Sequence, residues 1–216
     1  ARVVEPVLAA VRTVANLSAN ETDALGAVSL LGSVIGNPPE MLLASLQPLC
    51  EAVCARLRAT LRSTDSSLSF CKRLLQLVMG VSNSAPLVVR LTKTQIRLLV
   101  VELLERLLDP SLGDFESEVA DNLLGTLNVI MLRLLQHSPR GPTLCALLSL
   151  LAERITLPSQ SELTGLLLKC IGKLNKTLAV MAPQIELRSV MQELAAVHSA
   201  ISMANGASGQ VDAARE

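Results

Sequence analysis

The sequence predicts an all-α fold, specifically an α-solenoid of HEAT-like helical hairpins. Half of the residues are hydrophobic but only 1% are aromatic, with no Trp and no Tyr. A core of Leu, Val, Ala and Met suits packed helices, whereas sheets draw on aromatic and β-branched residues. Apolar residues recur at helical spacing along the chain, and hairpins repeat at roughly 40 residues, the HEAT period. An irregular compact helical bundle is the competing architecture.

The clearest hairpin lies between Leu123 and Ile155, where two helical patterns flank a break that contains Pro139, Gly141 and Pro142. The apolar positions of the two patterns are Leu123, Leu127, Ile130, Met131, Leu134 and Leu135, then Leu144, Leu147, Leu148, Leu151 and Ile155. Neither helix can bury its stripe alone, so each requires a neighbouring hairpin.

The first half of the sequence predicts four helices, over residues 1–17, 22–35, 40–62 and 67–81. Asn20 or Thr22 is the expected N-cap of the second helix, and Asp65 or Ser66 that of the fourth. Pro48 predicts a kink or a broken first turn in the third helix. The outward-facing positions of that helix are Arg56, Arg58 and Arg62.

The second half predicts a short apolar piece over 87–91 and helices over 93–108, from about 114 to 136, then over 143–155, 161–179 and 184–203. Thr92 and Ser161 are the expected N-caps. We expect a single domain over residues 1–203. Residues 204–216 are rich in Ala, Gly and Ser, which predicts a disordered tail or linker.

Composition also limits the classes of function. Basic and acidic residues number 19 each, so we expect no nucleic acid partner. No apolar run reaches the ~20 residues of a membrane span, and no signal peptide opens the chain. Five cysteines inside apolar patterns indicate reduced core thiols in a cytoplasmic protein. The chain begins with Ala1, which indicates a fragment of something longer.

The raw material for catalysis is sparse, so we expect no enzyme, no cofactor and no metal site. The two histidines, His137 and His198, are accompanied by no Cys or carboxylate pattern. Cys50 and Cys54 lie one turn apart but lack a second ligand pair, which favours core packing over metal binding. No phosphate-binding loop or hydrolase motif occurs.

Polar and small residues within apolar helices predict structural roles. Asn128 lies between Leu127 and Val129, and a buried amide there would bond the loop groups of adjacent repeats. Gly125, Gly165 and Gly172 each cost roughly 1 kcal/mol relative to Ala. We expect these glycines to let neighbouring helices approach closely.

Basic residues supply the candidate partner-binding positions, although such rows are most often solvated helix faces. Their expected partner is an acidic protein surface, such as tubulin or an acidic coiled coil. One row follows i, i+4, i+7 spacing and a second cluster surrounds a helix start; the candidates are Lys169, Lys173, Lys176, Arg90, Lys93, Arg97 and Arg140.

Four stretches resemble, in order, the C-terminal region of the TOG-domain microtubule polymerases, the family of mini spindles, ch-TOG and the plant microtubule-organization proteins. These stretches are SSLSFCKRLLQLVM (66–79), LLVVELLERLLDPSL (98–112), LLGTLNVIMLRLLQ (123–136) and ELTGLLLKCIGKLNKTL (162–178). The likeness is closest to the plant branch, which indicates a plant or algal source.

The resemblance implies a TOG-type HEAT domain in a protein that promotes plus-end growth and spindle organisation on microtubules. Tubulin-binding TOG domains carry a Trp in the first inter-helix loop, and this chain has none. The resemblance therefore favours a monomeric adaptor or localisation module that binds a coiled-coil protein of the transforming acidic coiled-coil type. The alternative is a divergent TOG domain that binds tubulin directly through a basic loop edge.

Overall fold

The computed structural model describes residues 4–36, 40–62, 68–157, 161–181 and 185–213. Every regular element in these ranges is helical, which confirms the all-α prediction. The α-helices are α1 (Val4–Ala15), α2 (Glu21–Ile35), α3 (Glu40–Ala44), α4 (Leu46–Arg62), α5 (Leu68–Asn83), α6 (Ala85–Val88), α7 (Lys93–Leu107), α8 (Ser117–His137), α9 (Arg140–Arg154), α10 (Ser161–Met181) and α11 (Leu187–Ala213). A 3₁₀ helix, Pro110–Asp114, joins α7 to α8.

Helix starts follow local sequence signals. The Asn20 side chain accepts a 2.7 Å hydrogen bond from the Asp23 backbone N–H at the start of α2. Thr92 and Gln95 form a reciprocal capping box at the start of α7. Pro48 lies in the first turn of α4, just after the break from α3, as the prediction of a broken first turn requires. The predicted caps Asp65 and Ser66 lie outside the described residues.

The chain divides into two compact units, Ala1–Pro139 and Arg140–Glu216. The single domain over 1–203 stays a prediction. Helix α11 also continues to Ala213, through most of the segment predicted to be a disordered tail. The segment contains no Pro, and its two glycines, Gly206 and Gly209, lower the helix propensity without ending the helix.

Unit 1 contains three antiparallel hairpins, α1–α2, α4–α5 and α7–α8. The first helices of the hairpins pack side by side in one layer, and the second helices pack side by side in the other. Leu31, Leu74 and Leu127 of the second layer are fully buried. Packing of each hairpin on its neighbours is the arrangement of HEAT-type repeats.

Unit 2 is built on α9, which packs against both α10 and α11. Helix α10 buries Leu163, Leu167 and Leu174, whereas α11 buries a stripe of Val190, Val197 and Ala200. A β-carbon on Gly141 would lie 3.9 Å from the backbone at Glu186, so the start of α9 runs close to the segment that precedes α11.

Candidate interaction surfaces

Unit 1 has two edges formed by its connections. We define the intra-hairpin edge as the described turns within hairpins, 16–20 and 108–116, and the inter-hairpin edge as the described parts of the connections between them, 36, 40–45 and 84–92. Because the helices alternate in direction, the two sets of turns lie at opposite ends of the layers. A partner that binds by loops would use one of these edges.

Arg56 of α4 connects α4 to the end of α1 at the intra-hairpin edge. Its guanidinium donates to four backbone carbonyls at the end of α1, those of Thr13, Val14, Asn16 and Leu17, at 2.7–3.4 Å. A helix C-terminus leaves carbonyls without intrahelical donors, and Arg56 supplies donors there. The Asn16 carbonyl also accepts from the Ala19 backbone N–H at 2.9 Å. Burial lowers the pKa of the Arg56 guanidinium. The predicted outward position of Arg56 is wrong.

At the same edge, the buried carboxylate of Glu102 pairs with two further arginines. Glu102 of α7 is fully buried, and its Oε2 accepts from Arg58 Nε at 3.0 Å and Nη2 at 2.5 Å. Its Oε1 lies 3.1 Å from Nε of the buried Arg106, which also pairs with Asp109. The hydrogen bonds from Arg58 to Glu102 raise the pKa of Arg58. Both arginines are thereby committed to partners within the fold.

At the inter-hairpin edge, too, side chains bond backbone carbonyls near helix ends, but these side chains are smaller than arginine. Ser84 Oγ donates to the Ile35 carbonyl at the end of α2, at 2.8 Å. His137 Nδ1 lies 3.0 Å from the Ser82 carbonyl near the end of α5, and since a carbonyl only accepts, Nδ1 carries the proton. Each hairpin thus satisfies a carbonyl of the hairpin before it. Neither Ser84 nor His137 had a predicted role.

Asn128 does not have the buried role that was predicted. The residue is exposed on α8, as is Asn175 on α10. The buried stripe of α8 passes through Leu127 and Ile130, and one further residue rotates the side chain by ~100° out of the core. Polar ties between hairpins are made instead by other side chains: Arg56, Arg58, Ser84 and His137.

Close helix approach also occurs at a different glycine. A β-carbon added at Gly125, Gly165 or Gly172 would meet nothing within 4 Å, so the predicted close approaches there are wrong. A β-carbon on Gly80 of α5 would lie 3.1 Å from Ile35 Cγ2. The tight crossing in unit 1 is therefore that of α2 and α5.

The predicted basic cluster of unit 1 lies at the inter-hairpin edge and the start of α7. Arg90 is half exposed, and its Nη1 lies 3.3 Å from Oε1 of the exposed Glu40. An exposed pair of this kind is worth little and a partner can displace it. Lys93 and Arg97 follow on α7, and both are partly buried.

The remaining basic candidates belong to unit 2. Lys169, Lys173 and Lys176 are all exposed on α10, whereas Arg140, the first residue of α9, is partly buried. The lysine row is thus available to a partner. These residues and the unit 1 cluster form two separate sets.

Four of the five cysteines have thiol pKa values that burial raises. Burial raises the pKa of Cys50 to about 12 and also raises that of Cys54, so both remain protonated thiols at neutral pH. Cys71 and Cys170 are shifted in the same direction by burial. Within the described residues no three His, Cys, Asp or Glu side chains lie close enough together to hold a metal ion.

Comparisons of this chain with protein-family models, with curated proteins and with solved structures produced no match. In the described part of the chain, no helix is both long and apolar enough to span a membrane. The resemblance to the TOG-domain polymerases therefore stays a prediction from the four sequence stretches.

Proposed function

We propose that this chain is a non-catalytic interaction domain of a TOG-family microtubule polymerase, a protein that promotes plus-end growth and spindle organisation. The domain acts as an adaptor or localisation module that binds a coiled-coil partner. The resemblance supplies the family. The hairpin stack of unit 1 agrees with the fold that the family implies.

The observation that carries the adaptor role is the internal use of the arginines near the intra-hairpin edge. Arg56 donates hydrogen bonds to backbone carbonyls at the end of α1. Arg58 and Arg106 both form ion pairs with Glu102. A loop edge that binds the acidic surface of tubulin needs basic side chains directed outward. Arg56 and Arg106 are buried, whereas Arg58 is 46% exposed and donates to the buried Glu102.

The second candidate, direct tubulin binding, is favoured by Arg90 at the opposite edge. Arg90 pairs with the exposed Glu40 at 3.3 Å, and a stronger acidic surface can take the place of Glu40. Lys93 would extend the contact along α7.

Gel filtration with αβ-tubulin separates the two candidates. The adaptor role predicts that the chain and tubulin elute separately at micromolar concentration. It also predicts that the tagged chain concentrates at spindle poles or plus ends in dividing cells. A stoichiometric complex that is lost in an Arg90→Glu/Lys93→Glu variant would overturn the adaptor role and establish the second candidate.

A further inference from the structure

A slot opens between α2 and α5 in the second layer of unit 1. Its volume is about 330 Å³, at the lower end of the range for small-ligand pockets, ~300–1,000 Å³. The floor contains the buried side chains of Val28, Ile35 and Leu77, and the exposed polar side chains Ser29 and Gln76 lie at the rims. An apolar floor with a few polar groups around it is typical of a binding site.

Two glycines shape the slot. A β-carbon on Gly80 would lie 3.1 Å from Ile35 Cγ2, so α2 and α5 approach each other closely there. A β-carbon on Gly32 would meet nothing within 4 Å, so the space beside Gly32 is open. Arg73 precedes Gly80 on α5 by two helical turns, which is ~10 Å along the axis. The slot therefore has a narrow end at Ile35 and a cationic end at Arg73.

The charge of the slot indicates one negative charge on its ligand. Of the described residues that line the slot, Arg73 alone is charged. Its Nη1 donates to Gln76 Oε1 at 3.4 Å, which uses one of the five N–H donors of a guanidinium. A guanidinium can bind a carboxylate through two parallel hydrogen bonds, whereas a phosphate carries nearly two charges and is usually bound by several arginines. One arginine therefore matches one carboxylate.

The serines of α2 favour a peptide over a free amino acid. Ser33 Oγ donates to the Leu30 carbonyl at 2.7 Å, so its oxygen can still accept a hydrogen bond, and the Ser29 hydroxyl one turn earlier can accept as well. A backbone N–H is a neutral donor for such an oxygen. A free amino acid carries an ammonium group instead, and none of the described lining residues is acidic.

We propose that the slot binds the C-terminal residue of a partner peptide. The aliphatic side chain of that residue packs on Val28 and Leu77, and its carboxylate pairs with Arg73. Its backbone N–H donates to a serine hydroxyl of α2. The site lies on the helices rather than on the loop edges, and it does not depend on the microtubule role.

The test titrates the full ¹⁵N-labelled chain with the peptide Gly-Ser-Gly-Ser-Gly-Leu and follows the backbone amides by NMR. The signals of Gly32 and Gly80 should shift, with a Kd of about 1 mM or below, because so small a contact gives modest affinity. The same peptide with a C-terminal amide should bind at least ~5-fold more weakly, since it offers Arg73 no charge. A peptide that ends in Gly should also bind at least ~5-fold more weakly, since no side chain reaches the floor.

Matched variants of the chain locate the site. Gly32→Leu places a side chain in the slot and should abolish binding. Gly26→Leu is its control, because Gly26 lies on the same helix outside the slot and a β-carbon there also meets nothing within 4 Å. Arg73→Gln should bind the acid and the amide peptides equally, whereas Lys72→Gln, at the neighbouring exposed cation, should still prefer the acid. Circular dichroism melts check that all four variants fold.

Four results would overturn the proposal: no localised shifts with the Leu-terminated peptide, equal binding of its amide, equal binding by Gly32→Leu and Gly26→Leu, or tighter binding of free leucine than of the peptide. The last result would make the ligand a free amino acid. These titrations contain no tubulin. The outcome of the gel filtration with tubulin therefore bears on the proposed function alone, and a failed titration leaves that function untouched.

Discussion

At the scale of single residues, the decisive side chains are those that satisfy backbone groups of another helix. Arg56 binds the Val14 carbonyl from 42 residues away, and it also lies over the Phe70 ring at 5.8 Å from the ring centre. A helix C-terminus leaves carbonyls that need donors, and a buried carbonyl without one costs ~1–3 kcal/mol. A planar cation with five N–H donors can serve several carbonyls at once.

We therefore expect Arg56→Met to destabilise the chain by roughly 2–4 kcal/mol, because the end of α1 loses its donors while the chain length of the side chain is preserved. Urea unfolding followed by circular dichroism measures the change. Arg12→Met, at an exposed position of α1, is the control and should stay within about 0.5 kcal/mol. Equal midpoints for the two variants would contradict the capping role.

Unlike the loss of Arg56, the loss of the Asn128 side chain should leave stability almost unchanged. Its side chain is exposed on α8, so its removal leaves no buried polar group without a partner. Asn128→Ala should change the free energy of unfolding by no more than about 0.5 kcal/mol, and Ala is also the better helix former. A thermal melt is sufficient, and a fall of several degrees would restore the structural role first predicted for this residue.

At the scale of helices, glycine substitutions separate intrinsic propensity from packing. Gly125 of α8 is exposed with nothing within 4 Å of a new β-carbon, so Gly125→Ala should stabilise the chain by up to about 1 kcal/mol. Gly80→Leu should destabilise it, since the new side chain would be driven into Ile35, 3.1 Å from its β-carbon. Urea midpoints that shift in the same direction for both variants would contradict this contrast.

Helix positions were predictable because their signals are local. Asn20, Thr92 and Pro48 act within a few residues of themselves, and each has the effect expected of it. The apolar stripe of α8 likewise placed Leu127 in the core.

The ties between helices were not predictable because their partners are distant in sequence. Ser84 and Ile35 are 49 residues apart, and Arg58 and Glu102 are 44 apart. Nothing near Arg56 or Arg58 distinguishes a buried arginine from a solvated one. Helix α11 has two rows with helical spacing, one through Leu187, Met191 and Leu194 and the other through Val190 and Val197. Only packing on α9 shows which stripe is covered.

At the scale of the whole molecule, buried thiols link stability to alkaline pH. Burial raises the thiol pKa of Cys50 from 9.0 to about 12, and raises those of Cys54, Cys71 and Cys170 as well. Between these limits the unfolded chain has lost the Cys50 proton while the folded chain retains it. Stability is therefore complete below about pH 9 and falls as pH rises towards about 12.

The free energy of unfolding can fall by about 1.4 kcal/mol per pH unit for each such thiol. We expect the urea midpoint to drop between about pH 8 and about pH 10 in the presence of a reductant. The drop should be smaller in Cys50→Ala/Cys54→Ala, even though this variant starts from a lower midpoint because of the cavities it creates. Lysine titration contributes equally to both chains, so the difference in slope isolates the two thiols. Parallel slopes would show that Cys50 and Cys54 titrate alike in the folded and unfolded chains, contrary to their burial.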